Sequence, residues 1–256
     1  MINTLFQLLR SGNVTQKTLF PDLADYNRGL PKITDADCTG CGACTEACPT
    51  NAIELRHGEE SIAVFLDRGK CIACGGCTSA CETGTIVEDR STQVAVRNRE
   101  DLVLGSVPLQ NADDSKVAPS PFRKSLHLRV VSTGDNASDL EVGAANNPVF
   151  DVSRFGVHFV ASPRFADGLI VCGPVAHAMQ EPLRRCYEAM AEPRLVIAVG
   201  TDAISGCVHT RSYAQAVGVD AVLPTSIYVP GSPPHPWYIL HGILLAMGRT
   251  SVHPSK

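Results

Sequence analysis

No apolar run in this 256-residue chain approaches the roughly 20 residues a helix needs to cross a bilayer. The longest, WYILHGILLAM at 237 to 247, is too short and contains His241. The chain also lacks positive charge in excess. Its formal net charge of -4 leaves no basic footprint for a nucleic-acid partner. The start, MINTLFQLLRSG, has no basic stretch followed by an apolar core and a small-residue cleavage site, so no secretory signal is expected there. GPVAHAM (173 to 179) lacks the spaced glycines and lysine of a phosphate loop. No nucleophile stands in a recognisable pairing with a base, so hydrolytic or group-transfer chemistry has no support.

Cysteine is what the chain has in abundance: eleven residues. Eight fall within residues 38 to 81 in two matching groups, an arrangement that suits metal ligation in a reducing compartment better than secreted disulfides. Residues 38 to 49 read CTGCGACTEACP, and residues 71 to 82 read CIACGGCTSACE. Both are C-x2-C-x2-C-x3-C, followed by proline in the first and Glu82 in the second. Three closely spaced thiolates can wrap three irons of a cubane. The small residues between them (Gly40, Gly42, Ala43, Ala73, Gly75, Gly76) let the backbone close around it. In two-cluster ferredoxins the fourth cysteine of each run ligates the other cluster. One [4Fe–4S] cluster is therefore assigned to Cys38, Cys41, Cys44 and Cys81, and a second to Cys71, Cys74, Cys77 and Cys48. Zinc sites more often use two separated C-x2-4-C pairs. A cluster pair without a substrate pocket serves one-electron relay.

Patterning divides the chain. Residues 4 to 10 suit a short amphipathic helix, packed as a terminus or lying on a membrane or partner. Residues 11 to 37 read as an extended arm, and 93 to 105 alternate before turning helical. The polar, unpatterned stretch around 106 to 122 reads as a linker between domains at 1–105 and 123–256. Beyond it, SLHLRVVSTG, RFADGLIVCGPV and RLVIAVG read as strands. EPLRRCYEAMAEP and the apolar stretch from 237 read as helices, and SYAQAVGVDAVLP as a helix leading into a short strand. The expected fold is an α+β two-cluster ferredoxin domain followed by an α/β domain with an open, mostly parallel, flavodoxin-like sheet. Its functional loops would lie at the carboxyl ends of the strands, at 134–139, 172–175, 200–207 and 229–235.

Residues 1 to about 105 resemble the two-cluster ferredoxin-like subunit of complex I and of the energy-converting (group 4) [NiFe]-hydrogenases, such as formate hydrogenlyase. RGLPKI (28 to 33), CPTNAIEL and the two cysteine runs carry the likeness. The second half is similar to the small subunit that partners it, through NPVFDVSRFGV, SPRFADGLIVCGPV, IAVGTDAISG and VPGSPPHP. The resemblance implies a fusion of two neighbouring subunits. It also implies a further [4Fe–4S] site in the second half, ligated through C-N-G-C, G-x-C-A and P-G-C-P-P. Here the matching stretches read DNASDLEV, GTDA and PGSPP, with Asp135, Ser138, Asp202 and Ser232 in place of cysteine. Carboxylates and hydroxyls are hard ligands where an iron–sulfur cubane takes soft thiolates. This third site is therefore expected to be degenerate, with Asp135 and Asp202 either facing each other across a hard cation or hydrogen-bonding to Ser138, Ser232 and backbone amides.

Cys172 and Cys207, in loops expected to face that site, read as small buried hydrophobes, and Cys186 as a packing residue. His177, His209 and His235 lie near the same loops and read as satisfied or surface residues. The leading functional expectation is a non-catalytic electron-transfer subunit of a membrane-associated oxidoreductase, peripheral on the cytoplasmic face. Its partners would be a hydrogenase-like or complex I-like large subunit, membrane-arm subunits and an electron-donor protein. The alternatives are a mainly structural scaffold and a free-standing ferredoxin-type carrier. In either complex-bound reading the loops around VPGSPPHPW, with Trp237 exposed, would be adhesive without a partner.

Overall fold

The computed structural model describes residues 2–12, 16, 18–57, 62–105, 119–134 and 136–252. Most of the expected linker, and Asp135, lie outside the described residues. The chain opens with helix α1 (Ile2–Ser11), on which Phe6 is exposed. The first half then runs β1 (Leu30–Ile33), α2 (Ala43–Glu46), β2 (Ile53–His57), β3 (Ile62–Asp67), α3 (Gly76–Ala80), β4 (Ile86–Asp89) and β5 (Val103–Gly105). β1 pairs antiparallel with β4, and β3 pairs antiparallel with both β2 and β5. Residues 11–37 are thus not wholly an arm, because 30–33 are held in a ladder. The helical turn expected near 100 is a single 3-10 turn at Arg99–Leu102 that feeds β5.

The second half runs β6 (Leu126–Ser132), α4 (Ser138–Ala144), β7 (Val157–Phe159), β8 (Gly168–Cys172), α5 (His177–Glu188), β9 (Leu195–Val199), α6 (Thr201–Ser205), β10 (Ile227–Val229) and α7 (Pro236–Ala246). The strands form one parallel sheet in the order β7-β6-β8-β9-β10. β8 (GLIVC) and β9 (LVIAV) are buried along their whole length, as central parallel strands covered on both faces must be. Each large aliphatic buried this way contributes about 2 kcal/mol relative to exposure. α7 is buried at every position. It starts at Pro236, where proline's missing N–H costs nothing, and His235 caps it by accepting the Trp237 amide at 3.2 Å.

Two expectations need correction. Residues 212–224 form turns and a 3-10 turn at Val219–Ala221 rather than a helix. The Ala216 amide donates to Val175 O, and Gly218 takes φ +78, where a Cβ would lie 2.3 Å from Ile204 O. Those tertiary contacts override the local pattern. Trp237 is not exposed: it is 7% accessible, edge-to-face with Phe150 at 4.8 Å.

The two halves share one core. Leu23, Leu30, Cys71 and Val94–Val96 pack in the same cluster as the second sheet and α7. Val96 forms an antiparallel bridge to Tyr228 on the sheet-edge strand β10, with both backbone bonds made, at 3.0 and 2.9 Å. Beside it the Ala95 amide donates to His241 Nδ1 at 3.1 Å, and His241 Nε2 lies 3.1 Å from Ser251 O. His241 is fully buried.

Candidate functional site

Each cysteine run closes its own loop into a short helix by the same device. Gly42 and Gly75 precede α2 and α3 with φ of +79 and +76, a conformation that favours glycine. Thr45 and Thr78 donate back to the Gly42 and Gly75 carbonyls at 2.6 and 2.9 Å. The chain thereby turns tightly enough for three cysteines of a run to face one side, while the fourth points across.

The cysteines gather crosswise. Cys38, Cys41, Cys44 and Cys81 line one cavity of about 150 Å³, walled by Leu55, Val64 and Ile86. Cys48, Cys71, Cys74 and Cys77 line a second, narrower cavity with Ile53, Leu66 and Ile72 on its apolar side. Among the described residues no three His, Cys, Asp or Glu side chains converge as ligands of a single ion would. The thiols are spread around a space instead. All eleven cysteines are free of disulfides.

Backbone amides point at the sulfurs: Ala52 N–H at Cys48 (3.2 Å), Ala73 at Cys71 (3.3 Å), Gly40 at Cys38 (3.4 Å) and Ile86 at Cys81 (3.4 Å). Burial pushes Cys71 up to about 12 and Cys77 up to about 11. Cys44 is raised by burial and by Cys38 and Cys81. Burial also acts upward on Cys81, but hydrogen bonds from Thr83, Ile86 and Thr85 together bring it down. Four thiolates so close and so dry need cationic charge among them. An all-thiolate set with amide donors to sulfur and an apolar wall fits an iron–sulfur cubane.

The carboxyl ends of the second sheet meet beside the Cys71 loop. Asn136 donates to Asp202 Oδ2 at 2.9 Å, and its own Oδ1 accepts the Ser138 amide at 3.1 Å. Ser138 is fully buried, and among the described residues its hydroxyl has no partner. A Cβ on Gly200 would fall 2.6 Å from that hydroxyl and 3.5 Å from Gly231 O, so the loops bearing Ser138, Asp202 and Ser232 meet at one place. Thr201 ties them to the first half: its Oγ1 donates to Cys71 O at 2.9 Å, and the Gly231 amide donates to it at 3.3 Å.

Among the described residues the Asp202 side chain pairs with Asn136, and neither serine hydroxyl bonds to it. Sequence reasoning missed Asn136 and Thr201; the available signal was an amide side chain in a loop ending a strand, and a threonine inside GTDA.

Cys172 ends β8 fully buried and is pushed up to about 12 by burial and by Asp139. Cys207 approaches Lys70 O at 3.8 Å, and burial and the nearby Asp202 push it up to about 11. Cys186 packs on the core from α5. His177 and His209 are exposed, and His235 is the cap of α7.

A fold of two thiol-lined cavities joined to a parallel α/β sheet defines an iron–sulfur protein of the oxidoreductase-subunit class. Residues 37–96 match the 4Fe-4S dicluster domain, and residues 136–246 match the NADH ubiquinone oxidoreductase, 20 Kd subunit family. The chain belongs to the latter family. It is 42% identical over 122 residues to the "Probable membrane-bound hydrogenase subunit mbhJ" of Pyrococcus furiosus, covering 48% of this chain and 73% of the relative. It is 36% identical over 126 residues to formate hydrogenlyase subunit 7 of Escherichia coli, covering 49% of each. It is 48% identical over 106 residues to an NADH-quinone oxidoreductase subunit of Mycolicibacterium vanbaalenii, covering 41% of this chain and 57% of the relative. A chain of the archaeal membrane-bound sulfane sulfur reductase aligns over 50% of this chain and 72% of its own, with 26% identity and a TM-score of 0.45. Among the described residues no helix is long and apolar enough to cross a membrane.

Proposed function

We propose that the chain is an electron-relay subunit of a complex I-like or group 4 hydrogenase-related membrane complex, held peripherally on its cytoplasmic face. In this reading two [4Fe–4S] clusters are bound, one by Cys38, Cys41, Cys44 and Cys81, the other by Cys48, Cys71, Cys74 and Cys77. The observation that carries it is the crosswise gathering of the eight cysteines around two cavities. Such clusters supply one-electron transfer. The chain's own residues hold the thiolates, donate amides to their sulfurs and keep water away with Ile53, Leu66, Val64 and Ile86. Hydrogen bonds to the sulfurs make reduction easier, and burial opposes it.

The second half is read as a docking scaffold for a large subunit, without a cluster of its own. Asn136, Ser138, Asp202 and Thr201 fill the place where soft ligands would be needed. Leu140 on α4 and Val149 just beyond it stay exposed, as a docking face requires. The strand order, second-first-third-fourth-fifth within this domain, supports the flavodoxin-like description. The test is iron and acid-labile sulfide on anaerobically purified protein, with EPR after reduction. About eight irons per chain, four for each cubane, is the expected result. About twelve would mean a third cluster and overturn the scaffold reading.

A further inference from the structure

The second sheet places His158, His127 and Asp167 in one row. His127 on β6 pairs in register with His158 on β7, and Asp167 stands on its other side, just ahead of β8. The row lies at the amino ends of the strands, away from the Cys71 junction and from both thiol-lined cavities. The β7–β8 connection is a 3-10 turn at Pro163–Phe165 instead of a crossover helix. Both rings reach solvent: the His127 side chain is 42% accessible and His158 is exposed.

The Asp167 carboxylate orients one of the rings. Its Oδ2 accepts the His127 backbone amide at 2.7 Å and lies 3.2 Å from His127 Nδ1. The Asp167 amide in turn donates to His127 O at 2.8 Å, so the carboxylate is fixed from both sides. Beside this acceptor the neutral His127 ring keeps its proton on Nδ1 and presents the lone pair of Nε2. A carboxylate behind an imidazole is the arrangement that orients histidine ligands of metal ions.

The two rings stand at chelating distance. Their centres are 5.3 Å apart and their planes are inclined by 30°. At a tetrahedral zinc ion with Zn–N of about 2.1 Å, two imidazole centres fall about 5 Å apart. His158 can turn about its broad χ2 to present a nitrogen. Without an ion, two histidines directly opposite each other repel whenever both are protonated. Arg129, two positions along the same face of β6, adds to that repulsion, and Asp167 offsets it.

We propose that His127 and His158 together bind a late divalent transition-metal ion of the Zn²⁺ type, with water in its remaining positions and Asp167 as the positioning residue behind His127. Imidazole ligands favour such ions over Mg²⁺ and Ca²⁺, which take oxygen. The site does not depend on the cluster reading above.

The test is equilibrium dialysis of the cluster-loaded full chain against Zn²⁺, with zinc and iron counted per chain. The expected result is one zinc that binds saturably, leaves the iron in place and resists displacement by excess Mg²⁺. His127→Gln and His158→Gln should each weaken it at least tenfold, about 1.4 kcal/mol. Asp167→Asn, which keeps an acceptor for the His127 amide, should weaken it about tenfold with iron retained. Absence of saturable zinc at millimolar concentration overturns the proposal. So does displacement by Mg²⁺, which would mean oxygen ligands. Equal affinity in the wild type and the histidine variants also overturns it, because the ion would then sit on thiols elsewhere. If His127→Gln loses iron, His158→Gln decides by the same tenfold criterion.

Discussion

The hydroxyl of Thr201 donates to the carbonyl of Cys71 across 2.9 Å, both groups buried. It joins the first turn of α6 to the first cysteine of the second run, and the same oxygen accepts the Gly231 amide. One side chain thus fixes three loops from both halves. Thr201→Val keeps the shape and leaves the Cys71 carbonyl and the Gly231 amide unpaired. A loss of about 2–4 kcal/mol is expected for two buried orphans, read as a lower urea midpoint with unchanged slope. Loss of less than about 0.5 kcal/mol would mean that water replaces the hydroxyl.

Ligand exchange between the runs gives a second prediction. Cys48→Ser should deplete the same cluster as Cys71→Ser, and Cys81→Ser the same cluster as Cys44→Ser. Each single variant should lower iron from about eight toward about four per chain. EPR of the reduced protein distinguishes the arrangement. If Cys48→Ser instead matched Cys44→Ser, each run would ligate its own cluster.

The proposal that the second half holds no cluster can be challenged by introducing thiols. Asp135→Cys, Ser138→Cys, Asp202→Cys and Ser232→Cys together supply four soft ligands. With Asn136 freed from Asp202, reconstitution with iron and sulfide is expected to raise the content from about eight to about twelve irons, four per added cubane. An unchanged count would show that the packing around Gly200 and Ser138, not ligand chemistry alone, closes the site.

His241 accepts the Ala95 amide and contacts Ser251 O from the centre of α7. His241→Leu fills the volume but leaves the Ala95 N–H buried and unpaired. It should destabilise the chain by about 1–3 kcal/mol in chemical denaturation. Because Ala95 belongs to the first half, the loss should appear in the same transition that releases the clusters.

Burial holds His235 below its ordinary 6.5. The native ring stays neutral where the unfolded ring takes a proton. As pH falls through 6.5 toward the lower folded value, the unfolded state binds more protons and stability drops. The decline should level off below the folded value. His235→Asn, which can still cap α7, should flatten the stability–pH curve between about pH 7 and pH 5. An unaltered slope would assign the acid sensitivity elsewhere.

Much of this architecture is written locally. LIVC and LVIAV are apolar without interruption and became the central strands. The doubled C-x2-C-x2-C-x3-C spacing marked all eight cysteines that line the two cavities. Proline before an apolar run marked the start of α7. What escaped depends on partners far away in sequence. Asn136 finds Asp202 66 residues on, and no local pattern announces that pairing. Trp237, expected to be exposed beside the VPGSPPHP turn, is covered by Phe150. Residues 212–224 carry helix-compatible alanines and valines, but Ala216 is bonded to Val175 and Gly218 is pressed against Ile204.

The bridge between Val96 and Tyr228 has a consequence for the chain's integrity. Covalent connection mainly keeps two surfaces at high effective concentration, millimolar for short flexible links. Here the shared core and the two bonds of the bridge have already converted proximity into a joint. If the covalent connection between the two halves is cut, the fragments should therefore stay together and elute at the size of the intact protein. The bridge would also close the edge of β10 to intruding strands, so the nicked form should resist strand exchange and aggregation as well as the whole chain does.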